Sequence, residues 1–138
     1  MNLSTVDQPK SPVILVVQNR PANLATNSDI LNYFSKVYVS LFDVTEILLW
    51  IQQNQPDLII LDLPWLEITE AELITALRLD WLTRNIPILI LSNICTNWSD
   101  IVPDLDYNAC LCKPYLTSEL EKLVCSLVST PACLAYAL

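Results

Sequence analysis

The chain has 138 residues, of which 53% are hydrophobic and 16% charged. That length and balance suit one compact domain and exclude a disordered segment. A set of 15 acidic against 7 basic residues leaves a formal net charge of −8. Such a surface repels nucleic-acid phosphates and anionic membrane and argues against direct DNA binding. No apolar run reaches the ~20 residues that a membrane helix needs.

Residues 1–11 are polar and read as a flexible leader. Short apolar runs then alternate with longer amphipathic ones. "PVILVVQ" (12–18) is rich in β-branched residues and predicts a strand. "PANLATNSDILNYF" (21–34) has helical spacing at Leu24, Ile30, Leu31 and Phe34. "KVYVSLF" (36–42) alternates as a strand does, and "VTEILLWIQQN" (44–54) is helical, with Asn54 at its stop. "DLIILD" (57–62) predicts a strand buried on both faces and closed by a carboxylate. "TEAELITALRLDWLTRN" (69–85) predicts a helix, with Thr69 and Glu72 at the spacing of a capping box. "IPILILSN" (86–93) is the fourth strand, "NWSDIVPDL" (97–105) a short helix cut by Pro103, and "NACLCKP" (108–114) the fifth strand. "TSELEKLVCSLVS" (117–129) is the last helix, and residues 130–138 form an apolar tail. With no glycine in the chain, left-handed helix caps fall to other residues, and Asn54 and Asn85 stand where such caps belong.

The 5 cysteines are Cys95, Cys110, Cys112, Cys125 and Cys133. Their odd number and the polar start imply reduced thiols and a cytoplasmic location. Cys110 and Cys112 share a side of their strand. Without histidine or a second pair at zinc spacing, packing explains them better than a metal does.

Strands alternating with helices imply a three-layer α/β domain, a doubly wound five-stranded parallel sheet with right-handed crossovers. The reaction site of such a sheet lies beyond the carboxyl ends of its strands. Gln18 and Asn19 end the first strand there, Asp62 the third, Ser92 the fourth and Lys113 the fifth. A carboxylate, a hydroxyl and an ammonium on one edge suit receipt of a phosphoryl group: the carboxylate attacks and the other two bind the transferred oxygens. Each also has a plainer reading: a turn aspartate, a strand-end serine bonding a loop amide, a surface lysine.

On "LIILDLP" around Asp62, "ILILSN" around Ser92 and "CLCKPY" around Lys113 and Pro114, in this order and over residues 12–129, the chain resembles the receiver domain of bacterial two-component response regulators. The resemblance implies the flavodoxin-like strand order 2-1-3-4-5. It implies Asp62 as phosphoacceptor, Ser92 as switch hydroxyl, Lys113 as the phosphate-binding lysine and a cis bond between Lys113 and Pro114.

Receivers normally end the first strand with two acidic residues that hold Mg²⁺. Gln18 and Asn19 stand there instead, so Asp62, Gln18 and Asn19 make a weak or lost metal site. Two charges near ~4 Å each contribute about 4 kcal/mol of gross attraction at an effective dielectric of ~20. After solvation, a loss of affinity of at least a hundredfold, roughly 2.7 kcal/mol, follows. The alternative is that Gln18 and Asn19 fill the site with hydrogen bonds and bind nothing. With those carboxylates gone, a direct Asp62–Lys113 pair is expected. Cys110 occupies the place of the usual switch aromatic, and Pro64 and Trp65 alter the loop after Asp62. Trp50, Trp65, Trp81 and Trp98 read as packing residues rather than ligand stackers, and Trp65 and Trp98, in loops near the rim, are the first candidates for exposed contacts.

The expected function is that of a stand-alone receiver-like signalling protein, not an enzyme, with no cofactor or weakly bound Mg²⁺. It acts by contact with a histidine kinase or other regulator, with weak or no phosphorylation. The alternative is a Mg²⁺-dependent phosphoacceptor modified on Asp62. A phosphatase-like hydrolase is a weaker reading, because histidine and a second rim acid are missing. A homodimer is expected through the fourth helix, fifth strand and fifth helix. Neither nucleic acid nor membrane is an expected partner.

Overall fold

A computed structural model describes residues 12–18, 28–40, 43–63, 68–94 and 97–128. The leader (1–11), residue 129 and the tail (130–138) lie outside them. The described elements are β1 (Val13–Gln18), α1 (Asp29–Asn32), β2 (Ser35–Ser40), α2 (Val44–Asn54), β3 (Leu58–Asp62), α3 (Ile68–Leu79), β4 (Ile88–Ser92), α4 (Trp98–Ile101), β5 (Ala109–Cys112) and α5 (Thr117–Leu127). The strands form one parallel sheet in the order β2-β1-β3-β4-β5.

Successive side chains of a strand point to opposite faces, and here each face finds its own helices. Leu15, Val17, Ile59, Leu61, Ile88 and Ile90 pack with Ile47 and Ile51 of α2, Leu73, Ile74 and Leu77 of α3 and Trp98 of α4. Ile14, Val16, Leu58, Ile60, Leu89 and Leu91 pack with Leu31 of α1 and Leu120 and Val124 of α5. The unbroken apolar runs of β1, β3 and β4 are therefore strands covered on both sides, as parallel strands must be.

The helix ends depart from expectation. α3 begins at Ile68, so Thr69 lies within it and is not its cap. It stops at Leu79 because Asp80 folds the chain back: its Oδ1 accepts from Leu82 N at 3.0 Å and its carbonyl from Arg84 N at 2.9 Å. The buried Thr83 hydroxyl then donates to Leu77 O at 2.7 Å, satisfying a terminal carbonyl. Among the described residues the left-handed positions are Gln55 (φ 48°) and Asp104 (φ 63°), not Asn54 or Asn85. Asn54 instead turns its amide back to Trp50 O at 2.9 Å. α4 ends ahead of Pro103, as the missing N–H requires.

Arg78 ties the amino edge of the sheet together. Its guanidinium donates to Asp106 O at 2.9 Å, Arg84 O at 3.0 Å, Ile86 O at 2.8 Å and Asn108 Oδ1 at 2.8 Å. Asn108 Oδ1 also accepts from Ile88 N at 2.8 Å, where β4 begins. Arg78→Ala strands several acceptors at once and should cost about 2–3 kcal/mol in urea unfolding. Arg78→Lys should recover little, because an ammonium cannot span the same fork of acceptors.

Candidate functional site

The carboxyl edge of the sheet gathers Gln18, Asp62, Ser92 and Lys113. Register pairs Gln18 with Asp62, Asp62 with Leu91, and Ser92 with Cys112, the residue before Lys113. Asp62 closes β3 after four fully buried residues. Its carboxylate forms an ion pair with the Lys113 ammonium, their side chains 11% and 31% exposed. The pair is thus shielded at the carboxylate and open to solvent at the lysine. The Lys113–Pro114 peptide bond is cis, as the resemblance implied.

Ser92 is fully buried at the end of β4. Its hydroxyl accepts from Ile94 N at 3.1 Å, the strand-end role that stood as its plainer reading. Its carbonyl accepts from Lys113 N at 2.7 Å, which couples the two strand ends that carry the hydroxyl and the ammonium.

Gln18 is buried, and its side-chain oxygen has no hydrogen-bond partner. Asn19, Pro64 and Trp65 lie outside the described residues. Among those described, no group of three or more His, Cys, Asp or Glu side chains is placed to hold a metal ion. Of the three candidate metal ligands, the two described are thus one carboxylate, already paired with a cation, and one neutral amide.

Tyr115 was not singled out from the sequence. Burial pushes its phenol above the ordinary value, and the negative charge of Asp62 pushes it the same way. Its place two residues after Lys113 was a signal that a search of strand ends alone passed over. An acid whose folded-state pKa lies above its unfolded one stabilises the fold fully below the unfolded value and loses that contribution as pH rises through the folded value. Stability should therefore fall as pH climbs past about 10, and Tyr115→Phe should flatten that part of the profile. Asp62→Asn should move the Tyr115 titration, followed by NMR of the ring Cζ, to lower pH.

Further expectations are corrected. Two tryptophans depart from expectation: Trp98 is not an exposed contact but is 3% exposed and packs into the face that Cys110 borders, whereas Trp81, expected to pack, is 75% exposed. The Trp98 indole moderates the upward push that burial gives the Cys110 thiol. The small side chain at 110 leaves the volume that a tryptophan from α4 occupies. The cysteines are not all reduced either: Cys110 and Cys125 are free thiols, whereas Cys112 is disulfide-bonded.

No helix among the described residues is long and apolar enough to cross a membrane. A scan against protein-family models finds no match, and a search of curated proteins finds none. Solved structures do match. The signal receiver domain of a signal transduction histidine kinase from Syntrophus aciditrophicus is 25% identical over 86% of this chain and 90% of its own, with a TM-score of 0.64. A putative response regulator from Chloroflexus aurantiacus J-10-fl is 21% identical over 88% of this chain and 100% of its own, with a TM-score of 0.64. The receiver domain of a sensor histidine kinase from Pseudomonas aeruginosa PAO1, solved with a magnesium ion coordinated in its active-site cleft, is 17% identical over 88% of this chain and 100% of its own, with a TM-score of 0.67. In strand order, layering and these likenesses alike, the chain has the fold of a response-regulator receiver domain.

Proposed function

We propose that this chain is a receiver-like signalling module of a two-component system that works by protein contact, with phosphorylation of Asp62 weak or lost. The observation that carries this reading is the Asp62–Lys113 ion pair, beside a neutral Gln18. A single carboxylate already neutralised by an ammonium does not fit Mg²⁺, which binds best to several anionic oxygens. The lost neutralisation would also have to be made up in the transition state, where charge on the transferred group is greatest. Lys113 then serves as a built-in counter-ion that holds the edge in one arrangement, and Ser92 ties the following turn. The partner is a histidine kinase or another regulator. The domain is not an enzyme in its own right, and α4, β5 and α5 supply its own pairing face.

The second reading is a Mg²⁺-dependent phosphoacceptor. The buried, unpartnered oxygen of Gln18 favours it, because a cation or a water bound to one would satisfy that atom. The two readings part on incubation with acetyl phosphate and millimolar Mg²⁺, followed by intact-protein mass. The expected result is no gain. A gain of one phosphoryl group that disappears in Asp62→Asn establishes the second reading and overturns the first.

A further inference from the structure

The inner side of α3 is core: Leu73, Ile74 and Leu77 are buried. Its outer side is also apolar, which a helix covering a sheet does not need. Ile68, Ala71, Glu72, Thr75 and Leu79 lie along it at helical spacing and, with Ile101 of α4, line an open groove of about 570 Å³. Ile68, Leu79 and Ile101 are 79%, 82% and 59% exposed. Ala71 and Thr75 keep the floor low between these larger side chains. From Ile68 to Leu79 the stripe runs about 16 Å, the length of three helical turns. That shape accepts a helix presenting apolar anchors at i, i+3 or i+4, and i+7.

Charge selects the occupant. Among the described residues, Glu72 is the charged one lining the groove, and Asp100 of α4, next to Ile101, is exposed. Arg78, the nearest cation on α3, is committed to the carbonyls of Arg84, Ile86 and Asp106. A second copy of this chain would bring Glu72 and Asp100 against the same groups, and an anionic membrane would be repelled. We propose that the α3–α4 groove docks a basic amphipathic helix of a protein partner. This surface is separate from the Asp62 edge and does not rest on whether Asp62 is phosphorylated.

The test uses the full chain and a fluorescent synthetic helix of about four turns, with leucine on one face and lysine on the other. A counterpart with glutamate in place of lysine is the charge control. The lysine peptide should bind at least tenfold more tightly than the glutamate one, and more weakly as salt rises. Thr75→Arg, an exposed change in the floor, should reduce binding at least tenfold in a chain of unchanged circular dichroism. Leu49→Arg, an equal charge change on exposed α2, should leave binding as it was. Equal binding of both peptides, or equal loss in both variants, overturns the proposal. So does a dimer in sedimentation that Thr75→Arg dissolves, which would make a second copy the occupant, or binding of the chain to vesicles that Thr75→Arg abolishes.

Discussion

Trp98→Ala should destabilise the domain by roughly 3 kcal/mol in urea unfolding. Truncating a buried tryptophan costs about 3–5 kcal/mol, the lost transfer energy plus the cavity left behind. The lower end applies here, since the buried indole N–H faces only the weakly accepting Cys110 sulfur, and losing so weak a partner adds little. The cavity would open on the face bordered by Cys110. Restoring bulk from β5 should therefore compensate: Cys110→Phe, destabilising alone through overpacking, should recover part of the loss when combined with Trp98→Ala. Strict additivity of the two changes would show that the side chains do not share a volume. In a receiver, an aromatic residue at position 110 would be expected to move with the switch hydroxyl. The bulk is instead carried by α4, a single short helix that Trp98 pins to the core.

Lys113→Met should cost about 2 kcal/mol and is the sharper test of the site. Removing one partner of a fully buried ion pair costs about 3–5 kcal/mol, because the other charge stays behind unpaired. The third of the Lys113 side chain that is exposed lets water and salt reduce that figure here. The same carboxylate then becomes the liability, so Asp62→Asn on the Lys113→Met background should restore most of the loss. A coupling energy of at least about 1 kcal/mol in the double-mutant cycle is the expected outcome. Coupling near zero would mean that the pair contributes nothing to holding the edge, and the reading of Lys113 as a built-in counter-ion would fall with it. Raising salt should weaken the coupling only modestly, since the Asp62 carboxylate is 11% exposed.

Much of this architecture could be read before any coordinates. The runs in β1, β3 and β4 are apolar at every position, too short for a buried helix and rich in β-branched residues. Only a sheet covered on both faces accommodates them. Once the strands are parallel, their last residues must share an edge, so Asp62, Ser92 and Lys113 were placed together by connectivity alone. The Asp62–Lys113 pair followed from counting charges at that edge.

Other features depend on which side chains meet across elements, and local pattern carries no record of that. Trp98 sits in the polar stretch "NWSD" and reads as exposed, yet a small residue on β5 makes room for it in the core. Tyr115 follows the lysine in an irregular turn, and only folding sets its ring beside Asp62. Cys110 and Cys112 are equivalent by strand period, yet one is free and the other bonded, because bonding depends on the distance to another sulfur. The outer stripe of α3 was visible as periodicity. It became a groove only when α4 was laid beside it, because a concave surface needs two elements and helical spacing describes one.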